Sequence, residues 1–299
     1  MEIIKPVTFA TGMLLSSDAV ETVATWLVGT TYAKDVEVEY SNSIWVSLQA
    51  SNTGHTPGAA GSETRWIRKS ANNKYSMFDE FVNTQTTRAS SLTVVIQPGK
   101  RVNSAAVFNV AGVTSLQVIG NDGVGGTEVF NQTYNFDDTS VIDWYMYFFE
   151  PYDLKDQFII KGIPPYTNIV LTFIFTGSPT VQVGNLVFGT VYPLGLTQEG
   201  ASAGIRDYSV KKVNDYGITT FVQRAFSKRM EATTYVNKGD VNFVQKMLTE
   251  LRAVPIVWIG TQDDAYSTPL ILFGYYRDFT VEISYPTFSL CRLEVEGLI

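Results

Sequence analysis

Ser91-Leu92-Thr93-Val94-Val95-Ile96 runs directly into Gln97-Pro98-Gly99. The first six residues have the length and β-branched composition of a strand. The Pro-Gly that follows is turn chemistry, with glycine free to supply a positive φ. The same unit recurs downstream in Ala105 to Asn109, Thr114 to Ile119 and Glu128 to Tyr134, the last two separated by Asn121-Asp122-Gly123. Trp144 to Phe149 is dense in aromatics and is counted with the strand-like runs. Phe158-Ile159-Ile160 enters Gly162-Ile163-Pro164-Pro165, and Asn168 to Phe175 and Val181 to Phe188 complete the set. Short strands punctuated about every ten residues predict a jelly-roll-like β-sandwich over 87–195.

On the N-terminal side, residues 1–86 read as an arm and a small aromatic β module. Asp35-Val36-Glu37-Val38-Glu39-Tyr40 alternates with period two, and Ser43-Ile44-Trp45-Val46-Ser47-Leu48 repeats the pattern after Ser41-Asn42, so the pair reads as a hairpin. Ser51 to Ser62 is rich in Gly, Pro, Ser and Thr and reads as loop, and Trp66 opens a further strand. On the C-terminal side, residues 196–299 form a sheet with one helix, an α+β element. Ile205 to Val210 and Thr219 to Phe226 bracket the turn Asn214-Asp215-Tyr216-Gly217, and Met230 to Val236 gives another strand. Asp240 is placed to cap a helix whose Val241, Val244, Leu248 and Leu251 follow helical spacing, with Phe243 and Met247 widening the stripe and Pro255 ending it. Ile256 to Ile259, Leu270 to Tyr276, Phe279 to Ser284 and Ser289 to Glu296 supply the remaining strands. The expected fold class is mainly β.

Composition narrows the function. The chain has 299 residues, 45% of them hydrophobic and 17% charged, which excludes a disordered chain and suits two or three domains. A net charge of −7 without a Lys/Arg cluster argues against nucleic-acid binding. Cys291 stands alone, so no intrachain disulfide framework exists, and folding in a reducing compartment is expected. Met1 to Pro6 lacks the pattern of a secretory signal, and the most apolar windows, Ile169 to Thr176 and Pro269 to Phe273, fall short of the ~20 residues that span a bilayer. A soluble protein without membrane insertion is expected. The one histidine, His55, lies in a polar loop, which removes most hydrolytic triads and catalytic zinc sites. No motif calls for a cofactor or a metal, and no catalytic residue is expected.

Carboxylate-only catalysis needs no histidine. Asp143 and Glu150 flank the aromatic run and could form a glycosidase-like pair, but two acids near a strand end are common. Asp137-Asp138 and Asp263-Asp264 lack the further oxygen ligands of a calcium loop and read as turn acids. Gly123, Gly125 and Gly126 are flanked by strands, so they read as a hairpin loop and not as a phosphate cradle. Asn131-Gln132-Thr133 matches a glycosylation sequon by chance in a chain without a signal, and Cys291 reads as a small buried hydrophobe. The aromatics carry more information. Trp26, Tyr32, Tyr40, Trp45 and Trp66 fall within fewer than fifty residues. Exposed rings of this kind stack on the apolar faces of sugars, whereas a module this small also needs Trp and Tyr for its own core.

Two resemblances add to this reading. Trp26, Tyr32, Asp35-Val36, Tyr40, Ile44-Trp45, Asn52-Thr53-Gly54-His55-Thr56-Pro57 and Trp66 resemble a chitin-binding-type carbohydrate-binding module of the family 5/12 kind, over roughly residues 20–70. The match departs at Asp35, which the family usually precedes with glycine, and at Ile44, where it often has Tyr. The resemblance implies Trp45, Trp66 and then Tyr32 as sugar-contacting residues. The rest of the chain, about 70–299, resembles a virion protein family of tailed bacteriophages. The segments that carry it include Asn72-Asn73-Lys74-Tyr75-Ser76-Met77-Phe78-Asp79, Asp143-Trp144-Tyr145 with Tyr147-Phe148-Phe149-Glu150-Pro151, Arg224-Ala225-Phe226-Ser227-Lys228-Arg229-Met230 and Gly274-Tyr275-Tyr276 with Asp278-Phe279. It implies a non-enzymatic tail or tail-tip component, made in the host cytoplasm and built into the virion as a homo-oligomer beside other virion proteins. The alternative it leaves is an adhesin that contacts host surface carbohydrate. On either reading Arg206, Arg224, Lys228, Arg229 and Arg277 are candidates to pair with acids of a neighbouring subunit, or are solvated strand-end charges.

Overall fold

The computed structural model describes residues 1–81, 83–137, 143–149, 154–213, 215–261, 267–283 and 285–298. The chain is mainly β, as its strand-length runs require. β1 (Glu2–Pro6) and β2 (Leu14–Ser17) belong to the large sheet, whereas β3 (Glu37–Tyr40), β4 (Ser43–Ser47) and β5 (Trp66–Ala71) make a separate three-stranded sheet. The β3–β4 turn is Ser41-Asn42, both with positive φ (50° and 62°), the type I′ geometry that two-residue hairpins favour.

The centre is built on β6 (Thr86–Ile96), β7 (Ser104–Asp122), β8 (Glu128–Asn135), β9 (Phe158–Lys161) and β10 (Ile169–Pro193). β10 pairs antiparallel with both β6 and β7, and β7 in turn carries β8 and β9. Alternation places Leu92, Val94 and Ile96 of β6, Leu116 and Val118 of β7, and Leu171, Phe173 and Phe175 of β10 in one core without solvent exposure. Ala105 to Asn109 and Thr114 to Ile119 read as two strands but form one, and so do Asn168 to Phe175 and Val181 to Phe188. Each long strand bends at a bulge instead of ending, with register shifts in β10 between Thr176 and Gln182. Glycine is required where the two bends meet: a Cβ on Gly112, whose φ is +68°, would sit 2.1 Å from the Thr180 carbonyl oxygen.

The aromatic run also departs from its strand reading. Trp144 to Phe149 forms α1 (Trp144–Phe149), a short helix and not a strand. Its aromatic residues do not alternate with polar ones, and helical spacing brings Trp144 to Phe148 and Tyr145 to Phe149 as ring pairs. Glu150 and Pro151, Asp138, Asp263, Asp264 and Asn214 lie outside the described residues.

The C-terminal part contains β11 (Leu196–Thr197), β12 (Ser202–Asp207), β13 (Val210–Val213), β14 (Thr219–Val222), β15 (Phe226–Asn237), α2 (Val241–Glu250), β16 (Ile256–Ile259), α3 (Ser267–Leu270), β17 (Ile271–Glu282) and β18 (Phe288–Gly297). The strand order β15-β18-β17-β16-β1-β10 makes β1 the seam between this sheet and the centre. β1 and β16 are covered on both sides, which explains the uninterrupted apolar run Ile256-Val257-Trp258-Ile259. Ile3, Ile256 and Trp258 join the core beneath α2, while Ile4, Val257 and Ile259 meet Phe108 and Val187 of the central strands.

α2 buries Val244, Met247, Leu248 and Leu251 as its spacing predicts. Phe243 instead lies half exposed beside Tyr192, outside the buried stripe. Asp240 precedes the helix without a side-chain cap; its carboxylate accepts from Asn237 Nδ2 at 3.4 Å. The helix is held instead at its far end, where Tyr276 Oη donates to the Leu248 carbonyl at 2.8 Å.

Candidate functional site

In the N-terminal module, β3, β4 and β5 present one face on which Val38 stands opposite Trp45, and Ser47 opposite Trp66. Among the described residues no helix covers this face. The preceding loop folds over it, tied by a pair of backbone bonds between Tyr32 and Asn52, both 3.0 Å, and by Trp26 N–H to the Glu39 carbonyl at 2.8 Å. Tyr32, Val38 and Trp66 form the buried cluster, with Trp26 and Trp45 packed against it. Tyr32 and Trp66 meet edge-on with ring centroids 5.4 Å apart, and Trp26 meets Tyr40 in the same manner at 5.3 Å.

The polar atoms of three of the rings are bonded inside the module, whereas the buried Trp26 Nε1 meets no acceptor among the described residues. Trp66 Nε1 donates to the His55 carbonyl at 2.7 Å, Trp45 Nε1 to the Tyr40 carbonyl at 3.1 Å, and Tyr32 Oη accepts from the Leu27 N–H at 2.7 Å. His55 therefore holds its loop through its backbone. Of the three residues singled out for sugar contact, Trp66 is 3% exposed and Tyr32 8%. Trp45 is partly buried, and part of its ring is covered by Gly58, where an added Cβ would lie 2.9 Å from the ring carbons. The structure brings all three together as packing, with Trp45 alone keeping partial access.

The module is fastened to the centre by Asn73, a role its sequence context did not reveal. Asn73 N–H donates to Glu21 Oε2 at 2.7 Å, its side-chain amide donates to the Val20 and Thr87 carbonyls, and its Oδ1 accepts from Thr87 N–H.

Elsewhere the apolar surface faces outward. Trp144, Tyr145, Phe148 and Phe149 of α1 are each 66–79% exposed. The ladder of β12 on β15 continues past Asp207–Phe226 through Tyr208 N–H to the Ala225 carbonyl into the β13–β14 pair. The result is a two-stranded ribbon that exposes Ile205, Val213, Ile218 and Phe221. The turn at its tip is the one expected around Asp215-Tyr216-Gly217, but no alternation in β13 or β14 marks which face is bare.

The five cations read either as partners for a neighbouring subunit's acids or as solvated strand-end charges divide. Arg206 and Arg277 reach the buried Glu296 at 3.5 and 3.6 Å, Arg277 also reaches Glu294 at 2.9 Å, and Lys228 reaches Asp156 at 3.5 Å. Tyr208 Oη and Ser227 Oγ complete the shell of Glu296. Among the described residues, Arg224 and Arg229 meet no carboxylate.

The remaining candidates are structural. Gly123 and Gly125, both with positive φ, turn the β7–β8 hairpin, where Asn121 Nδ2 donates to the Gly126 carbonyl at 3.1 Å. Asp143 is exposed, and its proposed partner Glu150 lies outside the described residues. Cys291 is fully buried, and burial pushes its thiol up to about 11. Among the described residues no cluster of His, Cys, Asp and Glu could hold a metal, and no helix is long and apolar enough to cross a membrane.

No family model and no curated protein matches the chain. Among solved structures it is similar to the lectin domain of lectinolysin complexed with Lewis b antigen, at 13% identity and a TM-score of 0.28, over 39% of this chain and 83% of that one. A His 62 mutant of the same lectin domain with Lewis b matches at the same identity and TM-score, over 82% of its length.

Proposed function

We propose that the chain is a non-enzymatic structural subunit of a tailed bacteriophage particle, in the tail or at the tail tip, which associates with its own copies and with other virion proteins. The observation that supports this reading is the amount of large apolar side chain left outside. Four aromatic rings of α1 and four branched or aromatic side chains of the ribbon each stand more than half exposed. Folded monomers rarely leave contiguous apolar patches of this kind, whereas subunits that bury them on assembly do. The disulfide-free β architecture suits a protein that folds before it is assembled. Gold-tagged antibody against the chain, imaged on purified particles by electron microscopy, is expected to mark the tail or its tip. Particles that stay unlabelled even after partial disruption would remove the reading.

A second reading, an adhesin contacting host surface glycan, has one observation in its favour. Trp45 keeps partial access beside the partly buried Trp26 and Tyr40. Trp45→Ala is the informative variant, because Trp66 and Tyr32 belong to the module core. Loss of glycan adsorption with an unchanged melting profile would favour the adhesin; unchanged adsorption would exclude this ring as the contact.

A further inference from the structure

The ribbon of β12–β14 is rooted in the large sheet through β12 on β15, but beyond that root the β13–β14 pair carries no further strand among the described residues. A two-stranded hairpin alone is marginal in water, and every residue of β12 and β14 is exposed. Its charge is equally unbalanced. From Ile205 to Arg229 the sequence holds six basic residues against Asp207 and Asp215, on a chain of net charge −7. Arg206 and Lys228 are paired at the root, but Lys211, Lys212 and Arg224 meet no carboxylate among the described residues.

The complementary surface lies on the same domain. Glu231 of β15 stands opposite Glu294 of β18, and Glu294 opposite Asp278 of β17. Three carboxylates therefore share one cross-strand row on the outer face of the sheet, an arrangement in which directly opposed like charges cost stability. Arg277 relieves Glu294 at 2.9 Å, while the exposed Glu231 and Asp278 meet no cation among the described residues. The row lines an open groove of about 450 Å³, which Glu199 makes more acidic; Arg292 also lines it and reaches Glu282 at 4.0 Å, while the Phe279 ring turns away to the C-terminal core.

We propose that the ribbon is an assembly arm that docks in the acidic groove of a second copy of this chain, Lys211 and Lys212 facing Glu231 and Asp278 and Phe221 lying against the sheet beside them. This rests on the assembly reading above and names its partner. Arm and groove are different surfaces, so each copy that donates an arm still offers a groove. Contacts of this kind close into a ring or run on as a filament.

Charge reversal in both surfaces tests this on the full chain by sedimentation over a range of protein concentrations. The wild-type chain is expected to associate, and to do so less at 1 M salt, where charges are screened within ~3 Å. K211E/K212E and E231K/D278K are each expected to raise the association midpoint about tenfold or more. Mixing the two variants is expected to restore association, since each then offers the other an arm and a groove of opposite sign. Thermal melts matching the wild type show that neither variant is simply misfolded.

A wild-type chain that stays monomeric, a variant that associates like the wild type, or a mixture no better than its parts would each overturn the proposal. So would cross-linking of the ribbon, in labelled particles, to a different protein. These failures are separable from failure of the assembly reading. Particles that carry the chain while the mixture stays dissociated sink the arm alone. A charge pattern that holds while particles never label sinks the virion assignment alone.

Discussion

The N-terminal module and the C-terminal ribbon treat apolar side chains in opposite ways. In the module, Tyr32 and Trp66 stand nine-tenths or more buried, although they belong to the aromatic cluster most suggestive of a ligand. In the ribbon, Phe221 is 74% exposed in a segment whose aromatics are spread out and match no ligand-binding pattern. The module has three short strands and no helix, so two or three large rings must supply most of its core. The ribbon is anchored by the β15–β18 sheet and takes its order from that root, so its own side chains are not needed for packing. An aromatic cluster in a very small module therefore indicates core first, and bare apolar side chains on a supported extension are the better sign of a contact surface.

The sharpest way to break this comparison is Trp66→Ala. If the ring is core, its removal costs about 3–5 kcal/mol and leaves the His55 loop without its 2.7 Å tether. For a module this small, that loss is expected to unfold it. Limited proteolysis should then cut within residues 20–72 while the central strands, which hold their own core, stay resistant. Survival of the module with only ligand binding lost would reverse the assignment of Trp66.

A smaller effect tests the root from which the ribbon extends. Cys291 lies in the C-terminal core, and burial raises its thiol from an ordinary value near 9 to about 11. The unfolded chain then ionises first. Stability contributed by the neutral thiol is fully present below pH ~9 and is lost as the pH rises toward 11, by roughly 2–3 kcal/mol at the limit. Denaturant titrations at pH 8 and pH 10.5 are expected to show a larger loss for the wild type than for Cys291→Ala. Equal slopes would mean that the root is open to water, and the contrast between a closed root and a bare ribbon would weaken.

Much of the scaffold was legible in the sequence because its signals are local. Ser41-Asn42 between alternating segments specifies a hairpin, and Val244, Leu248 and Leu251 specify the buried stripe of α2. The length of β7 and β10 was not legible, since a bulge and a chain break look alike until the partner strand is known. Nor was the helix at Trp144–Phe149, where an unbroken apolar run fits either period. The site was less legible than the fold. Tyr32, Trp45 and Trp66 were found as a group, but which ring faces water depends on the loop that folds over them. Glu231, Glu294 and Asp278 are more than fifteen residues apart at the closest, and only strand register places them side by side.

The smallest expected effect is the one that most sharpens the comparison. Phe221→Ser removes a ring that stands 74% exposed and joins no core cluster among the described residues, so the monomer's melting curve should move by less than ~0.5 kcal/mol. Were the ribbon a folding element like the module, the same change would cost several times more. Its consequence should appear only in the association midpoint, because a ring desolvated against a neighbouring copy contributes to binding and not to folding. Sedimentation and thermal melts on the same preparation separate the two. A shift in association with an unmoved melt assigns Phe221 to the interface, and a shift in the melt of the order seen for Trp66→Ala would place it in a core and remove the distinction between the two regions.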